Sequence, residues 1–159
     1  MQQEQHCATD REQLASQLRS LFQQQLHMVL ATHDGTTPYT SLMAFAATAD
    51  LDRLIFVTSR ATHKYSNMAA NNQVSALIDN RTNRSVDYQS ALAVTVLGQA
   101  SELQRKERDG LLALFLQRHP ELEPFCLAPS SALMVLMVSR YILVGRFDEV
   151  RLLDIATIA

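Results

Sequence analysis

Apolar residues at helical spacing define the first predicted element. Four of them lie on one stripe after a Thr-Asp start: Leu14, Leu18, Leu21 and Phe22. A stripe of this kind, with an acidic residue in the first turn, is typical of an amphipathic helix that buries one face. We predict a helix over 9–25, preceded by a disordered leader over 1–8.

Runs of β-forming residues bounded by turn signals predict the strands. The first two runs are separated by Asp34-Gly35, a strong hairpin signal. A long later run contains Gly98, which marks a weak point in its strand. Seven runs have strand character: 27–33, 38–48, 54–59, 73–79, 91–103, 132–145 and 147–155.

Two more helices and a loop complete the pattern. Spacing and end signals predict helices over 62–71 and 105–120, whereas 80–90 is polar and aperiodic and is expected to be a loop. Short connections between most strands favour a mainly β fold with flanking helices, a small antiparallel barrel of six or seven strands, because closure removes exposed edges. The 159 residues are enough for one domain.

Composition excludes several classes of protein. A net charge of -2 argues against a nucleic-acid partner, and the longest apolar run is too short for a membrane-spanning helix. Cys7 and Cys126 are far apart in the sequence, and the first ten residues lack the apolar segment of a secretory signal. These features favour reduced thiols, a cytoplasmic location and no membrane partner.

A cluster of cations and hydroxyls follows the third predicted strand. Arg60, His63 and Lys64 lie there, and no acidic residue occurs between Asp52 and Asp79. Cations in the first turn of a helix are unfavourable by themselves, but a phosphate at that helix start would accept hydrogen bonds from them, from backbone amides and from neighbouring hydroxyls. The other interpretation is an ordinary helix start with solvated surface cations. Local chemistry alone leaves both open.

The order of several motifs resembles a known family. The sequence runs through MVLAT, LIFVTSRATHKYSNM, NQVSALID, VTVLGQASEL, FLQRHPELEPF and YILVG between about 20 and 155. This order is similar to that of the pyridoxamine 5′-phosphate oxidase-like FMN-binding split barrels, and RHPELEPF resembles their heme-utilisation branch. The resemblance implies a homodimeric split barrel with FMN bound at the subunit interface.

The resemblance also implies roles for individual residues. Lys64, Arg60, Thr58 and Ser59 would hold the flavin phosphate. A second segment would run beside the isoalloxazine ring and contact it through Ser41 and the backbone of its neighbours: Leu42, Met43 and Ala44. The implied function is an FMN-dependent oxidoreductase that acts on a small substrate or electron donor. A protein that binds or stores FMN or heme without turnover is the alternative, and a plain interaction domain is a third.

Two departures separate this chain from the oxidase proper. Ala93 stands where the oxidase carries Gln, and the chain has no Trp. Both argue against oxidation of pyridoxamine phosphate itself. The five histidines lack the spacing of a zinc site. His63 adjoins the cation cluster, so it is either a flavin, substrate or heme contact or an exposed residue without a role.

Overall fold

Eight strands make up the sheet of the computed structural model, which describes residues 2–145 and 149–155. The strands are β1 His27–His33, β2 Pro38–Ala44, β3 Ala46–Ala47, β4 Arg53–Ser59, β5 Gln73–Asp79, β6 Leu92–Glu102, β7 Ser131–Gly145 and β8 Glu149–Asp154. The helices are α1 Gln2–Gln24, α2 His63–Ala70, α3 Asp87–Ser90, α4 Arg105–Arg118 and α5 Glu123–Cys126. The predicted start of the last strand, at 147–148, lies outside the described residues.

The sheet is antiparallel and curls into a half-barrel. Its strand order is β2-β1-β5-β6-β7-β4-β3, and β8 pairs with β7 beside this path. Strands β2 and β3 therefore lie at opposite ends of the order, although Phe45 alone separates them in the chain. The sheet has to bend back on itself for both pairings to exist. The predicted mainly β split barrel with flanking helices is thereby confirmed as an architecture.

The number of strands differs from the prediction at one place. The run predicted as a single strand over 38–48 is broken at Phe45, whose ring is fully buried and whose amide donates to the carbonyl of Leu26. The chain leaves β2 there and continues as β3, which pairs with β4 at the other end of the sheet. The sequence did not show this break because no Gly, Pro, Asn or Asp separates the two halves.

Gly98 marks the irregularity expected in the sixth strand. The register between β6 and β7 shifts at Leu97/Gly98, as in a β-bulge. A Cβ atom at Gly98 would lie 2.1 Å from the carbonyl oxygen of Met137, so no side chain fits without movement of the backbone. The weak point predicted from the sequence is therefore a close approach between two strands.

Helix α1 packs its predicted stripe against the inside of the half-barrel. All four residues of that stripe are buried in the main core, at exposures between 0% and 9%: Leu14, Leu18, Leu21 and Phe22. The helix starts at Gln2 rather than Thr9, so the residues expected to form a leader are helical where the structure describes them. None of the helices in the described ranges is both long and apolar enough to cross a membrane.

A second core lies between the sheet and helices α4 and α5. Ile55 from β4 and Phe115 from α4 are its most buried large residues, and Val57, Cys126 and Leu133 belong to the same cluster. The end of α4 is attached to the end of α1, because the Arg118 guanidinium donates to backbone carbonyls there: Phe22, Gln23 and Gln25. This attachment holds α4 and α5 over one face of β4.

The predicted loop over 80–90 contains one short helix. Asp87 accepts hydrogen bonds from the amides of Thr82 and Arg84 and from the Thr82 hydroxyl, and α3 starts at that residue. These hydrogen bonds keep the pKa of the Asp87 carboxyl below its usual value, despite the opposing effect of desolvation. A single turn held by one side chain carries no periodic pattern, so the sequence did not indicate it.

Candidate functional site

The junction between β4 and α2 leaves the start of the helix uncapped. Thr62 occupies the N-cap position, but its side chain makes no capping hydrogen bond to the helix. Its hydroxyl donates instead to the carbonyl of Ser59 at 2.8 Å and lies 3.1 Å from the Thr58 hydroxyl. The amides of the first turn therefore lack a side-chain acceptor at the cap, and the partial positive charge of the helix start is not offset by an acidic residue in that turn.

Lys64 adds a full positive charge to this helix start. It is half-buried in the first turn, and among the side chains that the structure describes it has no ion-pair partner. The role predicted for Lys64 at the start of the helix stays a prediction. An anion is the ligand that satisfies both the ammonium group and the free amides.

Arg60 differs, and here the interpretation of an uncompensated cluster is wrong. Its guanidinium forms an ion pair with Glu102, at the end of β6, and donates to the carbonyl of Pro129 at 2.9 Å. The Tyr65 hydroxyl donates to the same carboxylate at 2.7 Å. The neutralising carboxylate comes from 42 residues further along the chain, which explains why the local sequence did not show it.

The charges of this network agree with its geometry. The hydrogen bond from Arg60 holds the pKa of the Glu102 carboxyl below its usual value, and the bond from Tyr65 acts in the same direction. The carboxylate in turn raises the pKa of Tyr65. Arg60 and Tyr65 are therefore both bound to Glu102, whereas Lys64 is not.

A cavity of about 440 Å³ opens beside the helix start. It brings together six of the eight residues predicted for a cofactor site: Leu42, Met43, Ala44, Thr58, Ser59 and Lys64. The other lining residues are His27, Val57, Thr62, Phe115, Leu122 and Phe125. The two predicted residues that the cavity lining does not include are Ser41 and Arg60. Its volume is within the range of small-molecule sites.

The β1–β2 hairpin determines which residues of β2 reach this cavity. Asp34 accepts hydrogen bonds from the amides of Thr36 and Thr37, and Gly35 adopts a positive φ of 102° that other residues rarely take. These bonds hold the pKa of the Asp34 carboxyl well below its usual value. The resulting register places Ala44 opposite His27, at the cavity.

Two kinds of lining residue were not predicted from the sequence. His27 begins β1 and lines the cavity, whereas His63, the histidine singled out earlier, is exposed and lies edge-on to Tyr39 with ring centroids 5.8 Å apart. The aromatic residues from α4 and α5 were not expected either. His27 could have been found from the pairing of β1 with β2, which places it opposite Ala44. No local sequence feature indicated that α4 and α5 contribute to the cavity.

Larger cavities lie elsewhere, including one of about 680 Å³ between α1, α3 and β8. We place the candidate site in the smaller cavity because it combines an uncapped helix start with an unpaired cation. Across the described ranges, no three His, Cys, Asp or Glu side chains are grouped so that they could hold a metal ion.

Comparison with known proteins identifies the class. The family model described as pyridoxamine 5′-phosphate oxidase matches residues 14–152, so the chain belongs to that family. No curated protein matches its sequence. The chain is similar in structure to a heme binding protein from Mycobacterium smegmatis, with a TM-score of 0.78 and 18% identity over 88% of this chain. It spans 57% of the length of that protein.

Two further structures extend the comparison. The heme storage protein HutZ from Vibrio cholerae has a TM-score of 0.66 and 16% identity, over 78% of this chain and 94% of that one. A FAD-binding protein from Mesorhizobium loti has a TM-score of 0.60 and 19% identity, over 77% and 88%. These TM-scores establish a shared fold. At identities this low, the ligand of this chain has to be inferred from its own residues.

Proposed function

We propose that this protein binds FMN in the cavity beside α2 and acts as an oxidoreductase on a small substrate. The observation that carries the proposal is the cavity itself. It joins the uncapped start of α2 and the unpaired Lys64 to the β2 segment that the family resemblance assigns to the flavin ring. Leu42 and Lys64, which are 22 positions apart in the sequence, are there in one site. A cytoplasmic location remains part of the proposal.

The polar end of the cavity fits a phosphate group. It consists of Thr58, Ser59, Thr62 and Lys64. The ammonium group supplies a charge-assisted hydrogen bond, and the first-turn amides of α2 supply neutral ones. Arg60 stays a predicted phosphate contact, but its guanidinium is bound to Glu102, so we assign the charge of the polar end to Lys64.

The β2 part of the lining fits a flat ring system. Leu42, Met43 and Ala44 form one side of the cavity, and their strand backbone offers hydrogen-bonding groups to a ring edge. The contact predicted for Ser41 stays a prediction. Bound FMN would supply the electron-transfer chemistry, while this chain would bind and orient it.

A homodimer is the second part of the proposal. One row of neighbouring residues crosses the outer face of the sheet in register, and each of them is exposed or half-buried: Leu42, Val29, Leu77, Thr95, Ile142 and Leu152. Five of the six are apolar, and an apolar surface of this extent favours a protein partner. Because Leu42 also lines the cavity, a second copy packed on this row would reach the flavin site.

Light scattering coupled to size-exclusion chromatography tests the dimer. The wild-type protein is expected to elute with twice the mass of one chain. Leu152→Glu, which places a charge in the row, is expected to shift it towards the monomer, whereas Val86→Glu at a similarly exposed position outside the row is expected to remain dimeric. A monomeric wild-type protein would remove this part of the proposal.

Comparison of FMN with riboflavin tests the cofactor site. Both contain the same ring system, but riboflavin lacks the phosphate. Titration of the purified protein, followed by quenching of flavin fluorescence, is expected to give tighter binding of FMN by about 10- to 100-fold, because the phosphate uses the polar end of the cavity. Equal affinities would show that the cavity does not recognise phosphate, and no binding of either would reject the proposal.

Heme binding is the second candidate function. It is favoured by His27, which lines the cavity and carries an imidazole suited to iron, and by the mixed polar and apolar lining. Two of the structurally similar proteins are described as heme binding or heme storage proteins. The same cavity would then hold heme in place of FMN.

Titration with hemin separates the two candidates. A heme site would give a Soret band that shifts in His27→Ala and is unchanged in His63→Ala, a histidine that is equally exposed but outside the cavity lining. Added FMN would also displace the hemin. Absence of a saturable Soret change would reject the heme candidate and leave FMN.

A further inference from the structure

Part of the cavity lining is apolar and comes from helices that pack over β4. This part, the apolar wall, consists of Phe115, Leu122 and Phe125, which come from α4, the 3₁₀ turn at Pro120–Leu122 and α5. Phe115 is fully buried, but Phe125 is 42% exposed although it is a large aromatic residue. An aromatic ring exposed at a cavity offers a flat apolar surface to a ligand.

Two arginines that lie close to lining residues in the chain are engaged in contacts outside the cavity lining. The Arg118 guanidinium, one helical turn from Phe115, donates to backbone carbonyls at the end of α1 and contacts the Phe45 ring. Arg60, next to Ser59, is paired with Glu102. Among the residues that the structure describes, the titratable side chains in the cavity lining are those of His27 and Lys64.

Charge in the cavity is consequently sufficient for one anionic group. If the FMN phosphate occupies the polar end, no arginine or lysine of the lining remains for a second phosphate. Burial of an unpaired phosphate against Phe115, Leu122 and Phe125 is unfavourable, since a charged group without a partner loses its hydration. The same surface gains from contact with a flat uncharged molecule.

We propose that the substrate of the flavin is an uncharged planar molecule of the quinone or aromatic class, bound against the apolar wall, and that Phe125 determines this specificity. The proposal rests on the FMN function given above. It assigns separate ligands to the two parts of the cavity: the cofactor phosphate to the polar end, and the substrate to the apolar wall.

The test uses the FMN-loaded protein and two probes. Menadione represents an uncharged quinone, and pyridoxamine 5′-phosphate represents a substrate that carries its own phosphate. Binding is measured by isothermal titration calorimetry and by the change in the visible spectrum of the bound flavin. Menadione is expected to bind at least about tenfold more tightly than pyridoxamine 5′-phosphate.

Variants of α5 locate the binding surface. Phe125→Ala is expected to weaken menadione binding by about tenfold through loss of aromatic contact, with FMN affinity unchanged. Leu127→Ala is the matched control, because Leu127 is also exposed on this segment, at 59%, and does not line the cavity. Phe125→Leu keeps an apolar side chain and is expected to recover part of the affinity.

The outcomes distinguish this inference from the function on which it rests. A protein that binds no FMN loses the proposed function, and the inference with it. A protein that binds FMN but binds pyridoxamine 5′-phosphate as tightly as menadione retains the function and overturns the inference. Equal menadione affinity in the wild type, Phe125→Ala and Leu127→Ala would also overturn it.

Discussion

Arg60 and Lys64 occupy similar places in the sequence but have different surroundings in the fold. Both follow β4 in a segment without acidic residues. Arg60 is paired with Glu102 and bound to the carbonyl of Pro129, whereas Lys64 has no ion-pair partner in the described part of the chain and lines a cavity. A local excess of positive charge therefore identifies candidate anion-binding residues, and ion pairing in the folded protein determines which of them is available.

The largest expected effect comes from the unpaired cation. Lys64→Ala removes the only ammonium group of the cavity lining and is expected to raise the dissociation constant for FMN by about 10- to 100-fold. Flavin fluorescence titration measures it, with circular dichroism as the check on folding. Arg84→Ala, which removes an exposed cation outside the cavity, is the control for net charge and is expected to bind FMN normally.

A smaller effect is expected for the paired cation. Arg60→Ala breaks the ion pair with Glu102 and is expected to lower the melting temperature by roughly 1–4 °C, as for a partly exposed salt bridge. FMN affinity is expected to change by less than about threefold, because Arg60 is outside the cavity lining. An affinity loss as large as that of Lys64→Ala would restore Arg60 as a phosphate ligand and remove the contrast between the two residues.

The smallest effect is a dependence of stability on pH. Because the pKa of Glu102 is lower in the folded protein than in the unfolded chain, its ion pair stabilises the fold fully above the unfolded value of about 4.3. This stabilisation is lost as the pH falls through the folded pKa. Melting temperatures of the wild type and Glu102→Gln are therefore expected to differ at pH 7 and to converge towards pH 3.

Other carboxylates titrate in both proteins and largely cancel in that comparison. A difference in melting temperature that stays constant from pH 7 to pH 3 would show that the Glu102 charge does not contribute. The contribution of the Tyr65 hydroxyl depends on pH in the opposite direction. Because the pKa of Tyr65 is raised in the folded protein, its stabilisation is present below about pH 10 and is lost as the pH rises through the folded pKa.

Local signals predicted most elements of the fold. The first and fifth strands have the predicted bounds, 27–33 and 73–79, because alternating burial and flanking turn residues act within a few positions. The break at Phe45 and the extra residues of α1 were missed. The break depends on the pairing of β3 with β4, which adjacent residues do not encode.

The candidate site was predictable to a smaller extent. Six of its lining residues were named from the family resemblance, since strand, hydroxyls, lysine and helix follow one another along the chain. His27 lines the cavity because β1 pairs with β2. Phe115, Leu122 and Phe125 line it because α4 and α5 pack against β4. No pattern within the loop before α2 indicates which distant segment covers it.

Short-range patterns predicted the mainly β architecture, the helix that follows β4 and the cations at its start, because hydrophobic periodicity and turn residues act over a few positions. Contacts in the tertiary structure determine which cation is left without an ion-pair partner among the described residues and which aromatic residues line the same cavity. Both outcomes depend on contacts across the curled sheet, where Glu102 and Phe125 approach the start of α2 from far along the chain.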